Sequence, residues 1–331
     1  MKKLFSIIAA VLLLIGCDQK KSDIVLIPST GRINKVLVVT KSSNWQGKIG
    51  DNIRSVFGEH VLGLPQPETI LSVSQVAPKG FQSIMKRSRR ILVLSDTAKE
   101  EKFTKTKNKY SQPQTIVYLS STSKEGLLKQ LKKHGKEIIN IFRNEDLKFM
   151  QSVFHAKKID DSKFKTLQTL GISLTIPNDF RLVENSDTGD FLWLRHRLKS
   201  GIAKGDGSNN ILVYSVPLTD ENTVADNITA VRDTIGKMHI PGSKEGMYMI
   251  TEAAYTPSTF ETKVAGKKAF ETRGKWEVKN DFMAGPFLNY TIIDKKNNRL
   301  IVIEGFTYAP SVNKRDFVFE LEAIAKSVKF K

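Results

Sequence analysis

Few residues in this sequence could do chemistry unaided. Five histidines, His60, His134, His155, His196 and His239, are scattered along 331 residues. No two stand at the H-x-H or H-x-x-x-H spacing that would turn a pair of imidazoles toward one metal, so no metal or other cofactor is expected. No G-x-S-x-G elbow offers a serine nucleophile. His196 sits between Arg195 and Arg197 on an apolar run and reads as a satisfied sheet histidine rather than a general base. Glu271, Glu277 and Glu304 could supply the paired carboxylates of a glycosidase. Each has an Arg or Lys close by in sequence, which points instead to cross-strand ion pairs. The densest unusual chemistry is "RGKW" with "MAGPFLNY": Arg273, Trp276, Phe287 and Tyr290 could line a shallow groove whose aromatic faces suit a sugar or lipid. The competing reading puts the same aromatics in a core.

Cys17 is the only cysteine, which excludes disulfides, a CxxC redox pair and a Cys-ligated zinc. It follows Lys2, Lys3 and the apolar stretch 4–16, too short to span a bilayer comfortably and of the length of a secretory signal. Leu14-Ile15-Gly16-Cys17 resembles the bacterial lipobox. That resemblance implies a diacylglyceryl thioether on Cys17, removal of residues 1–16, and a short polar tether over 17–31. Each buried CH₂ contributes about 0.8 kcal/mol, so several acyl chains hold such a protein on its membrane. A cell-envelope location follows, the outer membrane being expected and the leaflet left open.

The chain carries a formal net charge of +18. More than half of it lies in residues 86–136, with fourteen Lys/Arg against four acids. Lys124, Lys129, Lys132 and Lys133 fall within a helical pattern there. They are the candidate contact for anionic headgroups, envelope glycans or a protein complex, set against the plainer reading of a solvated face. Aromatics in this window are limited to Phe103, Tyr110 and Tyr118, too sparse for a platform that stacks bases. Export further argues against nucleic acid.

Two domains are expected from length and pattern. Over 32–158, the apolar runs 35–40, 90–95 and 114–120 and a strand over about 69–75 alternate with helical periodicities. Trp45, Ile49, Ile53 and Phe57 form one of these, and Leu127, Leu131, Ile138 and Phe142 belong to a long one starting near Ser123. This is an α/β domain with a central sheet and flanking helices. The polar stretch "TAKEEKFTKTKNKYS" is expected to be helix or loop. No phosphate-binding glycine motif follows the strands, and Gly47 and Gly50 read as turn and helix-packing residues. Over 165–331 the pattern becomes β-rich, with helices over "ENTVADNITAVRDTIGKM" and "NKRDFVFELEAIAKSVKF". In "KKAFETRGKWEVK", Phe270, Thr272, Gly274 and Trp276 occupy one face and Glu271, Arg273, Lys275 and Glu277 the other. An α+β domain results, an antiparallel sheet with two helices.

This second half resembles the fold of the extrinsic photosystem II subunit PsbP. "GLPQPE" (63–68), "YMITE" (248–252), "RGKW", "MAGPFLNY" and "EGFTYAPSVNKRD" (304–316) are similar to an uncharacterised lipoprotein family of Bacteroidota. The resemblance implies architecture and envelope location, and brings no activity with it. The reading from sequence is therefore an anchored envelope lipoprotein with a non-catalytic binding or assembly role. The alternative is an envelope hydrolase or transferase with its site between the two domains.

Overall fold

A computed structural model describes residues 25–198 and 207–331; Cys17 and the signal stretch lie outside them. The apolar runs of the first half form parallel strands, since only a strand covered on both faces tolerates a continuous hydrophobic stretch. These are β1 (Lys35–Val39), β3 (Arg90–Ser95) and β5 (Thr115–Ser120); β2 (Ser72–Val76), half-buried at the sheet edge, pairs parallel with β1, giving the order β2-β1-β3-β5. The polar stretch expected as helix or loop is instead β4 (Lys102–Lys107), antiparallel to β5 at the sheet edge. Its exposed lysines at 102, 105 and 107 suit an edge that must not recruit another strand.

A single turn, α1 (Ser42–Trp45), and then α2 (Lys48–Phe57) follow β1, and α3 (Lys124–Ala156) follows β5. Both longer helices pack on the same sheet face. Ile49, Ile53 and Phe57 of α2 and Leu127, Leu131, Ile138 and Phe142 of α3 meet Val36, Val38, Leu92, Leu94, Val117 and Leu119. The opposite face carries a smaller cluster of Val39, Ile91 and Ile116 with Phe81, Tyr110 and Tyr118 against it. The chain enters this sheet at its amino end, where Pro28 bridges to Gln112 and Thr30 to Ser88, just ahead of β5 and β3.

The second half is an antiparallel sheet of eight strands. They are β7 (Arg181–Asn185), β8 (Phe191–Leu198), β9 (Gly207–Pro217), β10 (Met249–Thr251), β11 (Ser258–Val264), β12 (Lys267–Val278), β13 (Ala284–Asp294) and β14 (Arg299–Tyr308). The order is β10-β12-β13-β14-β9-β8-β7, with β11 also on β12. A separate pair joins β6 (Ile172–Ser173) to β15 (Lys329–Phe330). Three helices complete this half: α4 (Lys165–Leu170), α5 (Val224–His239) and α6 (Arg315–Ala325). Val318, Phe319, Leu321 and Ile324 of α6 cover one face of the sheet. Val231 and Ile235 of α5 lie against Trp193, Tyr214, Trp276 and Phe306 on the other. α6 approaches closely because Gly305 lies beneath it; a Cβ there would stand 2.7 Å from the Leu321 Cβ.

Polar contacts join the halves as tightly as apolar ones. The Glu322 carboxylate of α6 accepts from Arg143 of α3 and from Arg273 of β12, each at 2.8 Å, and from Lys326 at 2.8 Å. Arg273 also donates to Glu271 at 2.6 Å, and the Tyr290 hydroxyl donates to the same Glu271 at 2.9 Å. Burial pushes the Glu322 pKa up, but Arg143, Arg273 and Lys326 outweigh it and hold the group well below the ordinary carboxylate range. Nearby, Glu68 of the first half accepts the backbone N–H groups of Lys314 (2.6 Å) and Arg315 (3.0 Å), a carboxylate cap on α6 delivered from 246 residues away. Asp146, fully buried in α3, pairs with Arg90 at 3.0 Å and accepts the Asn34 N–H at 2.8 Å.

Glu322→Ala leaves two guanidinium groups buried without their carboxylate. Breaking such a pair costs about 3–5 kcal/mol, so the denaturant midpoint at pH 7 should fall accordingly. Because the folded pKa is depressed, the wild-type contribution is complete above the unfolded value of about 4.5 and is lost only as pH falls through the folded one. The gap between wild type and variant should therefore close in acid.

Candidate functional site

The four residues proposed for an aromatic groove do not form one. β-strand alternation puts Arg273 on the α6 face of β12 and Trp276 on the other, and divides Tyr290 from Phe287 on β13 in the same way. All four are buried, with Tyr290 at 0 % exposure and Trp276 and Phe287 at 2 %. Arg273 and Tyr290 belong to the Glu322 network, while Phe287 lies under the Arg232 guanidinium at 4.0 Å. Trp276 alone borders an open groove of about 440 Å³, with Trp193, Tyr308, Arg195 and Arg197 from other strands. These side chains are interior, with Trp276 at the rim of that groove.

The carboxylates also differ from cross-strand expectation. Glu271 pairs along its own strand with Arg273. Glu304 is fully buried on β14 and pairs at 3.0 Å with Arg232 of α5, while Asn289 donates to its other oxygen at 3.0 Å. Burial raises the Glu304 pKa against the pull of Arg232. The groove between the halves, where the hydrolase alternative would place its site, is lined by Glu68 and Asp316. Glu68 is committed to the α6 cap, and Asp316 accepts from Asn34 at 3.0 Å and Arg315 at 2.8 Å.

One carboxyl free of such partners escaped sequence reading. Glu320 of α6 faces a groove of about 770 Å³ with Asp179, His196, Arg181, Arg195 and Arg197. Asp179 Oδ2 lies 3.8 Å from His196 Nε2 and 4.0 Å from Lys157 Nζ. Burial, with Asp179 and Asp316 nearby, pushes the Glu320 pKa up to about 7, against a smaller opposing effect of Lys157. The group can therefore exchange a proton near neutrality. No local pattern announces this, because Glu320 and Asp179 are brought together only by the fold.

The lysines expected to meet an anionic partner are placed more coherently. Lys124, Lys129, Lys132 and Lys133 are all exposed on the first turns of α3. The first three border a groove of about 470 Å³, facing Ser43 and Asn44 of α1 and Gly47 and Lys48 at the start of α2. Lys133 stands outside it. The groove lies at the carboxyl ends of the parallel strands. There the chain leaves β1 toward β2 on one side while β3 continues the sheet on the other, the place where open α/β sheets make a crevice. Lys41 after β1 and Asp96 after β3 span that divergence at 2.9 Å. Burial raises the Asp96 pKa, but Lys41 and the neighbouring Asn44 amide hold it below the ordinary range. Sequence reading found the lysines through charge density. It passed over Asn44, whose type has no periodic signature. Among the described residues, no group of three or more His, Asp, Glu or Cys side chains is arranged to hold a metal, and no helix is long and apolar enough to cross a membrane.

The family model of a domain of unknown function, DUF4837, matches residues 158–327, just over half of the chain. The chain belongs to that family. A second domain of unknown function, DUF8532, matches residues 29–155. No curated protein matches. Solved structures with partial likeness include LpqN of Mycobacterium tuberculosis, described as involved in cell envelope biogenesis, at 13% identity over 48% of this chain and 83% of that one, TM-score 0.32. The Ran-binding protein Mog1p of Saccharomyces cerevisiae is similar at 10% identity over 48% and 90%, TM-score 0.33. A protein of Bacteroides thetaiotaomicron gives 9% identity over 49% and 45%, TM-score 0.25. Likeness at this level says nothing of what the chain binds.

Glu320 offers a pH test. Its folded pKa lies above the unfolded 4.5, so the native state holds the extra proton and stability falls as pH rises from about 4.5 to about 7. Glu320→Gln should remove that slope, gaining about 3 kcal/mol over wild type at pH 8 and nothing below pH 4. Denaturant melts across this range check it.

Proposed function

We propose that the chain is a membrane-anchored envelope lipoprotein with a non-catalytic binding role, held by lipid on Cys17 and presenting its basic α3 end to an anionic partner. The lipobox resemblance supports the anchor. The division into an α/β unit over 32–158 and a PsbP-like unit over 165–331, membership of a Bacteroidota lipoprotein family and an outer-membrane address belong to the same reading.

The observation that carries it is the convergence of Lys48, Lys124, Lys129 and Lys132 on one groove in which Glu125 is the only carboxylate among the described residues. Cations that merely solvate a helix have no need to face a second basic element. The position also bears on geometry. Residues 28 and 30 enter at the amino end of the first sheet, while the groove opens at the carboxyl end. An anchor ahead of residue 28 therefore leaves the lysines at the opposite pole of that sheet, turned toward envelope components beyond the protein's own attachment point.

Replacing Lys124, Lys129, Lys132 and Lys133 together by Ala should weaken association of an unlipidated form with envelope fractions by roughly tenfold or more at low ionic strength, with the wild-type difference vanishing in high salt. Salt-resistant retention that the four substitutions leave unchanged defeats this reading.

A further inference from the structure

Arg195 of β8 departs from the way the second half pairs its arginines. Arg232 meets Glu304, Arg273 meets Glu271 and Glu322, and Arg299 meets Asp294. Arg195 is half-buried too, yet no carboxylate of the described residues reaches it. Burial lowers its pKa, Arg197 lowers it further, and no acid opposes either. The side chain is nevertheless fixed. Its Nε donates to Asn210 Oδ1 at 3.1 Å, and its guanidinium lies 4.6 Å from the Trp193 ring centre. Asn210 is itself held: it is 1 % exposed, accepts from Trp193 Nε1 at 3.0 Å and donates to Ser208 Oγ at 3.0 Å. Nη1 and Nη2 are left without a partner among the described residues. A guanidinium positioned before its anion arrives loses little freedom on meeting one.

The sheet puts this group at the end of an apolar groove. Trp193, Arg195 and Arg197 share one face of β8 by alternation. The register sets Arg195 opposite Asn210 and Arg197 opposite Ser208 on β9, and these two opposite Phe306 and Tyr308 on β14. Further along the same face α5 covers the sheet through Val231 and Ile235, and it stops at His239. Ile240, the next residue, borders the groove that is left. Val278 and Met283, with Trp276 at the rim, bound it on the side away from β8. Its volume is about 440 Å³, and Arg195 and Arg197 are the only charged side chains among the described residues that line it.

This polarity pattern defines the ligand. The free edge of a guanidinium takes two oxygens of one carboxylate or phosphate, and a second arginine beside it adds charge for the same group. A sugar would need hydrogen-bonding partners along the rest of the groove, where Ile240, Val278 and Met283 offer no polar side chain. An acyl chain needs none, and gains from leaving water. The groove has the size of a small-molecule site, with room for one such chain beside its head.

We infer that this groove binds a single-chain anionic amphiphile, its carboxylate or phosphate head on Arg195 and Arg197 and its chain along Trp276, Val278 and Met283. The site lies on the antiparallel sheet and does not depend on the lysine groove of α3.

The test uses the secreted full chain with Cys17→Ser, so that no acyl group and no detergent compete, and with Trp45→Phe, which leaves Trp193 and Trp276 as its tryptophans. Titration with ω-bromoundecanoate below its micellar concentration should quench their fluorescence saturably, because bromine quenches an indole only on contact. The affinity should exceed that for the neutral ω-bromoundecanol by about tenfold or more. Arg195→Gln should bring the acid down to the level of the alcohol while leaving the alcohol unchanged; a merely structural arginine would weaken both alike. If Arg195→Gln does not fold, the exposed Arg197→Gln decides, and should narrow the gap between acid and alcohol by about threefold or more. Lys124→Ala/Lys129→Ala/Lys132→Ala should alter neither affinity. Competition separates the sources: displacement by dodecanoate ahead of dodecyl phosphate assigns a fatty acid, and the reverse order a phosphate monoester. No saturable quenching, equal affinity for acid and alcohol, or a preference for the acid that the deciding arginine variant leaves intact overturns the inference. Loss of the acid with the lysine variant overturns it too, and moves the anion site to α3.

Discussion

Glu322 is a carboxylate with almost no access to water, and it is tolerable only because three cations reach it from different parts of the chain. Arg143 comes from the long helix of the first half, Arg273 from the centre of the antiparallel sheet, and Lys326 from the next turn of its own helix. Desolvating four charges is expensive, and an interior of apolar side chains of the same volume could be as stable. What such a cluster adds is selectivity of arrangement. An apolar α6 could slide on the sheet and still bury its face, whereas a carboxylate that must meet two fixed guanidinium groups has one acceptable position. Glu68 acts in the same direction, because its cap on the start of α6 exists only when the loop at 63–68 lies against that helix.

The two halves use charge in opposite ways. In the second, acids and bases are drawn inside and neutralise one another: Glu304 with Arg232, Glu271 with Arg273, Asp294 with Lys267 and Arg299. In the first, Arg90 and Asp146 do the same, but most lysines remain outside, and four of them meet in one groove at the carboxyl end of the sheet. A charge that finds no internal partner is left available for an external one. The distribution thus separates a part of the molecule whose electrostatics hold it together from a part whose electrostatics face outward.

β1, β3 and β5 of the first sheet were legible because they are buried on both faces and spell that burial as an apolar run. β4 was not, since an edge strand rich in lysine carries the same letters as a solvated loop. The long helix from near Ser123 was legible from its stripe. The pattern of β12 was read correctly as two alternating faces, but nothing in it says what lies over the charged one. It is covered by α6, and the residue that makes this possible, Glu322, lies 49 positions away from Arg273. Alternation reports which side chains share a face and is silent about what arrives to cover it. The candidate site divides in the same way. Its lysines were visible as charge density, whereas Asn44 and the Glu320–Asp179 pair acquire meaning only from neighbours supplied by the fold.

The helix α3 runs unbroken for 33 residues, about 50 Å at 1.5 Å per residue. Its first turns border the lysine groove, its middle carries Arg143 and Asp146, and its last turns place Leu147, Met150 and Phe154 in the core of the second half. A flexible loop between two sheets would let each tilt independently. A continuous helix whose apolar stripe belongs to two cores in succession behaves as a strut, and bending it means opening backbone hydrogen bonds in mid-helix. Any force applied at the lysine end, by a ligand or by a larger assembly, is thus delivered mechanically to the antiparallel sheet some nine turns away, with little of it lost to hinge motion on the way.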